Sequence, residues 1–238
     1  MHVHLPKPLH GWRAFVGEVG IIVIGVLIAL GAGQLVEAAH EREKALQAED
    51  SIRDELGFNL GRLKSRMDIH RCVDRRIEEI QALLDRAADQ PNIATPSWIG
   101  RPQYWTFASS RWQAESRAGS AALVDPAKLS SYAIMYARMQ DMLDEMTFEQ
   151  SDWAKLRTLE HVRRLGPAAA FEMNETLHDA RYRNWRLAVV TSQLFDMANS
   201  LRVRAIANTT PASRSVCLPI TTTRAQANRL SVWPFGEP

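Results

Sequence analysis

The sequence predicts an all-α protein, with an N-terminal transmembrane helix that continues into an antiparallel helical bundle and an extended C-terminal tail. Three observations carry this. Residues 14–36 hold 16 hydrophobic residues and five of the twelve glycines. Beyond them, apolar residues recur at three- and four-residue steps, while strand-like alternation is nearly absent. The last 30 residues contain Pro211, Pro219, Pro234 and Pro238 and lose the helical period. The expected organisation is a short cytoplasmic tail over 1–13, a transmembrane helix over 14–36, a bundle over 37–208 and an extended tail over 209–238.

Composition narrows the classes without choosing among functions. The chain has 238 residues, 46% hydrophobic and 24% charged, which excludes a disordered, collagen-like or disulfide-dense protein. With 29 Lys and Arg against 27 Asp and Glu, the net charge of +2 gives no case for nucleic-acid binding. The two cysteines, Cys72 and Cys217, are too few for a zinc ribbon, a four-thiolate iron–sulfur site or CxxC redox chemistry.

Within the first helix, Val19 to Val36 is a run of 18 uncharged residues. At about 1.5 Å per residue, residues 14–36 span roughly 35 Å, enough to cross a hydrocarbon core about 30 Å thick. Trp12 and Arg13 mark one edge; Glu37, Glu41, Arg42, Glu43 and Lys44 follow the other. A cleaved signal peptide is the competing reading, since Ala29-Leu30-Gly31 has the small-x-small form of a cleavage site. The length of the run, the acid at its start and the helical sequence after Glu37 favour a retained anchor. Glu18, Gly25, Ala29 and Ala32 share one helix face, with Gly33 slightly further round, so Gly25, Ala29 and Gly33 form a small-xxx-small stripe that admits a second helix backbone.

Gly17-Glu18-Val19 followed by Val23-Ile24-Gly25-Val26-Leu27-Ile28-Ala29-Leu30 resembles the signature helix, G-E-[IV]-x-x-x-V-I-G-[IV]-L-I-A-L, of a large family of bacterial single-pass membrane proteins grouped as a domain of unknown function. Glu41-Arg42-Glu43-Lys44 and Arg53-Asp54-Glu55-Leu56 continue the likeness. Trp112, Gly119, Leu123-Val124, Asp125 and Leu129 resemble a second family segment at approximate spacing. After Leu30 this chain departs, with Gly31-Ala32-Gly33-Gln34-Leu35-Val36 in place of an amide- and tryptophan-rich exit. The resemblance implies a topology and no chemistry.

The first amphipathic stretch is read as one helix from Glu37 to about Ala88, with Leu56, Leu60, Leu63, Met67, Val73, Ile77, Ile80 and Leu84 inward. A loop marked by Pro91, Pro96, Gly100 and Pro102 follows. Tyr104 to Ala118 reads as a short aromatic helix broken by Gly119. Asp125-Pro126 reads as an N-cap and first-turn proline. The next helix runs through Met135, Met139, Met142 and Met146 to Gly166-Pro167, and a last one from Ala168 to Asn208 buries Phe171, Leu177, Trp185, Val189 and Leu194. The tail is free to dock through Val216, Leu218 and Trp233. A Cys72–Cys217 bond across 145 residues would tie it to the bundle in an oxidising compartment; two separate buried thiols are the alternative.

No catalytic, cofactor-binding or metal-binding residue is assigned. Glu37-x-x-His40 and Glu175-x-x-His178 match the short di-iron pattern but lack the paired glutamates such a site needs. His2, His4 and His10 sit in a tail with no fixed geometry. Positive-inside counting balances Lys7 and Arg13 against Arg42, Lys44 and Arg53, and the short N-terminal flank is read as cytoplasmic. The expectation is a non-enzymatic, single-pass protein of a bacterial inner membrane. Its periplasmic bundle serves interaction or assembly, and the partners are the bilayer and a membrane protein or second copy met through the Glu18–Gly33 face. The alternative is a ligand-binding or sensory bundle with Tyr104, Trp105, Trp112, Tyr132 and Tyr136 around a pocket.

Overall fold

A single α-helix, α1, runs from Trp12 to Met67 and dominates the computed structural model of this chain, which describes residues 11–90, 92–209 and 213–230. The expectations placed on residues 1–10, Pro91, Pro211 and Trp233 lie outside the described residues. The protein is all-α: α2 (His70–Asp89), α3 (Ser110–Ala118), α4 (Pro126–Leu156), α5 (Pro167–Ser200) and α6 (Arg224–Leu230) follow α1. Two short strands, β1 (Ile93–Ala94) and β2 (Arg164–Leu165), pair antiparallel across the ends of two loops. Asp125 caps α4 as its side chain accepts from the Ala127 and Lys128 amides, with Pro126 in the first turn. Pro167 likewise opens α5 and turns the chain back along α4.

The core has two parts. In one, Ile52, Leu56, Leu60 and Leu63 of α1 meet Tyr132, Met135, Met139, Met142 and Met146 of α4 and Leu187 and Leu194 of α5. In the other, Ile69, Val73, Ile77, Ile80 and Leu84 of α2 meet Trp153 and Leu156 of α4, Leu177 of α5 and Val216 of the tail. The four methionines are thus core residues at helical spacing. Between the halves, at the matching position of each long helix, stand fully buried Arg66, Glu149 and Asn184.

Several element boundaries differ from those read in the sequence. The stretch from Glu37 to Ala88 is two helices, because α1 stops at Met67 and α2 restarts at His70. The apolar period already skips there, from Met67 to Val73, and the buried positions are instead Arg66 and Ile69. The aromatic helix is shorter than expected, since Tyr104 to Ser109 is irregular and only Ser110–Ala118 is helical. Helix α4 ends at Leu156 in a 3-10 turn rather than reaching Gly166. Phe171, Trp185 and Val189, expected inside, are exposed.

Helix α5 ends at Ser200, well before Asn208. Arg202 takes a left-handed φ of 56°, the Val203 amide reaches back to the Ala198 carbonyl at 2.8 Å, and the Arg202 amide to Asn199 at 3.1 Å. This is a Schellman ending with arginine in the place usually held by glycine. The released segment, residues 203–209, lies against α1, where the Ile206 amide donates to the Gly57 carbonyl at 2.9 Å. A Cβ on Gly57 would stand 2.7 Å from the Arg204 carbonyl oxygen, and one on Gly61 would collide with that of Ile206. Gly61→Ala should therefore cost about 1–3 kcal/mol through forced separation of two backbones. Urea unfolding would measure the loss, and proteolysis at 203–209 should quicken. The tail is not wholly extended either: Ser215–Cys217 forms a 3-10 turn, α6 follows, and Val216 is buried.

Candidate functional site

The residues assigned to a membrane-helix contact lie together on an open face. Glu18, Gly25, Ala29, Ala32 and Gly33 are all exposed, and a Cβ on Gly25 or Gly33 would meet nothing within 4 Å. No side chain described between Phe15 and Val36 is buried, although this stretch makes α1 the one helix among the described residues long and apolar enough to cross a membrane. The helix continues without cover through Gln47, and the bundle begins at Ala48. Residues 37–47 therefore form a charged stalk about 16 Å long.

At the base of the bundle, three polar side chains of α1 at helical spacing hold the irregular segment before α3. Arg62 donates to the Thr106 carbonyl at 2.5 Å. Asn59 exchanges two bonds of 2.8 Å with the backbone of Ala108. The Glu55 carboxylate accepts from the Arg111 and Trp112 amides at 2.8 and 3.1 Å, from Ser110 Oγ at 3.1 Å and from Tyr136 Oη at 2.7 Å. Glu55 thus caps α3 from another helix and satisfies amides at its N-terminus. Burial alone would raise its pKa, yet these donors outweigh burial and hold it below the ordinary glutamate range. Burial and the bond to Glu55 raise the Tyr136 pKa, which keeps the hydroxyl a donor.

For a carboxylate whose folded pKa is depressed, the stabilisation is complete above the unfolded value and disappears as pH falls through the folded value. Wild type should exceed Glu55→Gln in stability by about 1–3 kcal/mol at neutral pH. The difference should shrink as the solution is acidified below the ordinary glutamate range. Paired urea titrations across that range check both the size and the slope.

The layer between the two core halves is charged. Arg66 Nη2 lies 2.5 Å from Glu149 Oε1 and donates to Asn184 Oδ1 at 2.8 Å. Asn184 Nδ2 donates to Asp74 at 2.6 Å, and His70 Nε2 stands 3.2 Å from the other Asp74 oxygen. Burial pushes the Glu149 carboxyl up despite the adjacent guanidinium. At the outer edge of the layer, Arg183 bridges Asp152 at 2.7 Å and Glu145 at 3.2 Å, and Arg186 meets Glu145 at 2.8 Å. Arg183 and Arg186, on either side of Trp185, are therefore held in ion pairs within the hairpin, while Arg181 reaches Gln81.

The C-terminal segment is fastened at the far end. Cys72 and Cys217 are joined, S–S 2.13 Å and Cα–Cα 4.8 Å, between α2 and the 3-10 turn. Arg75 donates to the Cys217 carbonyl at 2.6 Å, and buried Arg76 donates to the carbonyls of Ile99 and Leu218. The enclosed Glu160 side chain accepts from the Ile99 amide at 2.8 Å and pairs with Arg157 and Arg224, both of which lie over the Trp98 ring. Gly100, at φ 73°, brings its backbone close to Ser215, where a Cβ would stand 2.9 Å from the carbonyl. Loop, helix and tail are locked into one unit by these contacts.

Other sequence candidates do not converge. Trp105, Tyr132 and Tyr136 are core residues and Trp112 stacks on Tyr136 at 5.1 Å, so this ring set packs rather than lining a cavity. Tyr104 borders an open cleft of about 440 Å³ with Arg101, Gln103, Thr147 and Gln150. Glu37 and His40 sit on the stalk and Glu175 and His178 on the outward side of α5, and no group of three potential metal ligands occurs among the described residues. The α1 ladder, the polar layer and the glycine contact with residues 203–209 were missed. Their one sequence signal is polar or glycine residues set between Leu56, Leu60 and Leu63.

Fold and contacts together define an all-α bundle protein with one long, exposed apolar helix. Comparison with protein-family models, with curated proteins and with solved structures finds no match to this chain.

Proposed function

We propose that this chain is a single-pass, membrane-anchored interaction module whose bundle faces the periplasm of a bacterial inner membrane and works by binding rather than catalysis. One observation carries the reading: the apolar part of α1 projects from the bundle with no side chain between Phe15 and Val36 buried. In water, so long an apolar surface would be strongly unfavourable, and a bilayer removes it. The acidic and basic stalk after Val36 suits the hydrated zone outside the lipid. The Cys72–Cys217 bond fits an oxidising compartment, which supports the periplasmic side. In the bilayer, the Gly25–Ala29–Gly33 face offers close approach to another protein's membrane helix, and Glu18 on the same side adds a polar group that favours a protein neighbour over acyl chains.

The test is fractionation of intact cells followed by protease treatment of spheroplasts. The full chain should resist carbonate extraction, and the bundle should be digested only from outside. A soluble chain, a mature protein starting near Ala32, or a bundle protected in spheroplasts would overturn the topology.

A further inference from the structure

The α4–α5 hairpin has one long face that no other described element covers. The packing of α1 and α2 fills its inner side, and on the outer side a groove of about 280 Å³ runs between the two helices over a floor of Met142, Leu187 and Val190. Its two rims differ in charge. Asp141 and Glu145 stand on the α4 rim, whereas Arg186 stands on the α5 rim beside Arg183. At one end Phe148 is 54% exposed and Tyr182 49% exposed. The Arg183 guanidinium lies 4.9 Å from the Phe148 ring, and Trp185 stands 5.8 Å from Tyr182. Scattered exposed apolar residues are ordinary, but adjoining Phe, Tyr and Trp with arginines is the composition of interface centres.

We infer that this face binds the same face of a second copy of the chain, side by side about a two-fold axis parallel to the hairpin. With the anchored topology proposed above as its premise, the geometry follows from symmetry. Two copies held in one membrane from the same side stand parallel, and a two-fold axis along the membrane normal leaves every residue at its own height. Helices α4 and α5 run antiparallel with Glu145 level with Arg183 and Arg186, at 3.2 and 2.8 Å. The axis therefore sets the acidic α4 rim of one copy against the arginine rim of the other, at matching heights. Phe148 of the first copy meets Tyr182 of the second at the same level. Within each copy Arg138 is directed to Gln193 and Glu145 already pairs with Arg183 and Arg186, so across the axis these charges extend existing ion pairs rather than meet unpaired ones. Because α1 packs on the opposite side of the hairpin, this contact leaves the Gly25–Ala29–Gly33 face free for a different neighbour.

The protein mass of the purified full-length chain in detergent, read by light scattering with the micelle subtracted, tests the assembly. Wild type is expected as a dimer. Phe148→Glu and Arg186→Glu should each give monomer while thermal unfolding still shows a folded bundle, and Gly25→Leu combined with Ala29→Leu should remain dimeric. A monomeric wild type, a dimer that survives both Phe148→Glu and Arg186→Glu, or a dimer lost only in the Gly25 and Ala29 variant would overturn the inference. Membrane fractionation of the same proteins reads the anchor by itself, so failure of the dimer and failure of the topology give different results.

Discussion

Replacing Arg66 by alanine is expected to destabilise the bundle by about 3–5 kcal/mol, enough to consume much of the stability of an ordinary domain. The reason is electrostatic. Glu149 is fully buried and accepts a hydrogen bond at 2.5 Å from Arg66, its one ion-pair partner among the described residues, so removal of the guanidinium leaves a buried acid with no cation paired to it. Arg66 Nε, Arg66 Nη1 and Glu149 Oε2 have no hydrogen-bond partner among the described residues, which means the pair does not recover all of its desolvation cost. Substituting both partners, as Arg66→Met with Glu149→Leu, should thus restore most of the stability lost by the single change. Urea unfolding of the two singles and the double forms a cycle. Equal losses in single and double variants would show that the charge layer stabilises the fold as a pair.

Loss of the Cys72–Cys217 bond should have an effect of similar size. The bond closes a loop across 145 residues, worth about 4–5 kcal/mol in the chain-entropy account. Cys72→Ala and Cys217→Ala should each lower the urea midpoint, and reductant should do the same to wild type. The two changes together should cost no more than either alone, because each removes the same link. Proteolysis should quicken first within residues 213–230, while the α4–α5 hairpin keeps its protection. Unfolding curves that do not respond to reductant would refute a bonded clasp.

The apolar helix, the cap at Asp125, the break at Gly166-Pro167 and the methionine core of α4 were legible in the sequence because each depends on local spacing or one local hydrogen bond. The breaks were harder. Ser200 carries no turn signal, and α5 ends there because Arg202 adopts the left-handed conformation and residues 203–209 then find a backbone partner on α1. Tyr104 to Ser109 contains no glycine or proline to break a helix, but Asn59 and Arg62 satisfy its backbone in a non-helical form. Phe171 and Trp185 have the hydrophobicity of core residues and are nonetheless exposed, since the face of α5 that meets α2 and α4 is chosen by Leu177, Leu187 and Leu194.

By itself the sequence determined that the chain is helical and where one helix can leave water for lipid, because hydrophobic run length and helical period are properties of neighbouring residues. Only the tertiary structure decided that Arg66 and Glu149 share one layer, that Glu55 caps α3, that Cys217 meets Cys72 and that no other described element covers the outer face of the α4–α5 hairpin. Those outcomes depend on the register between helices far apart in the chain. That register is set by the packing of the whole core, which no local pattern encodes.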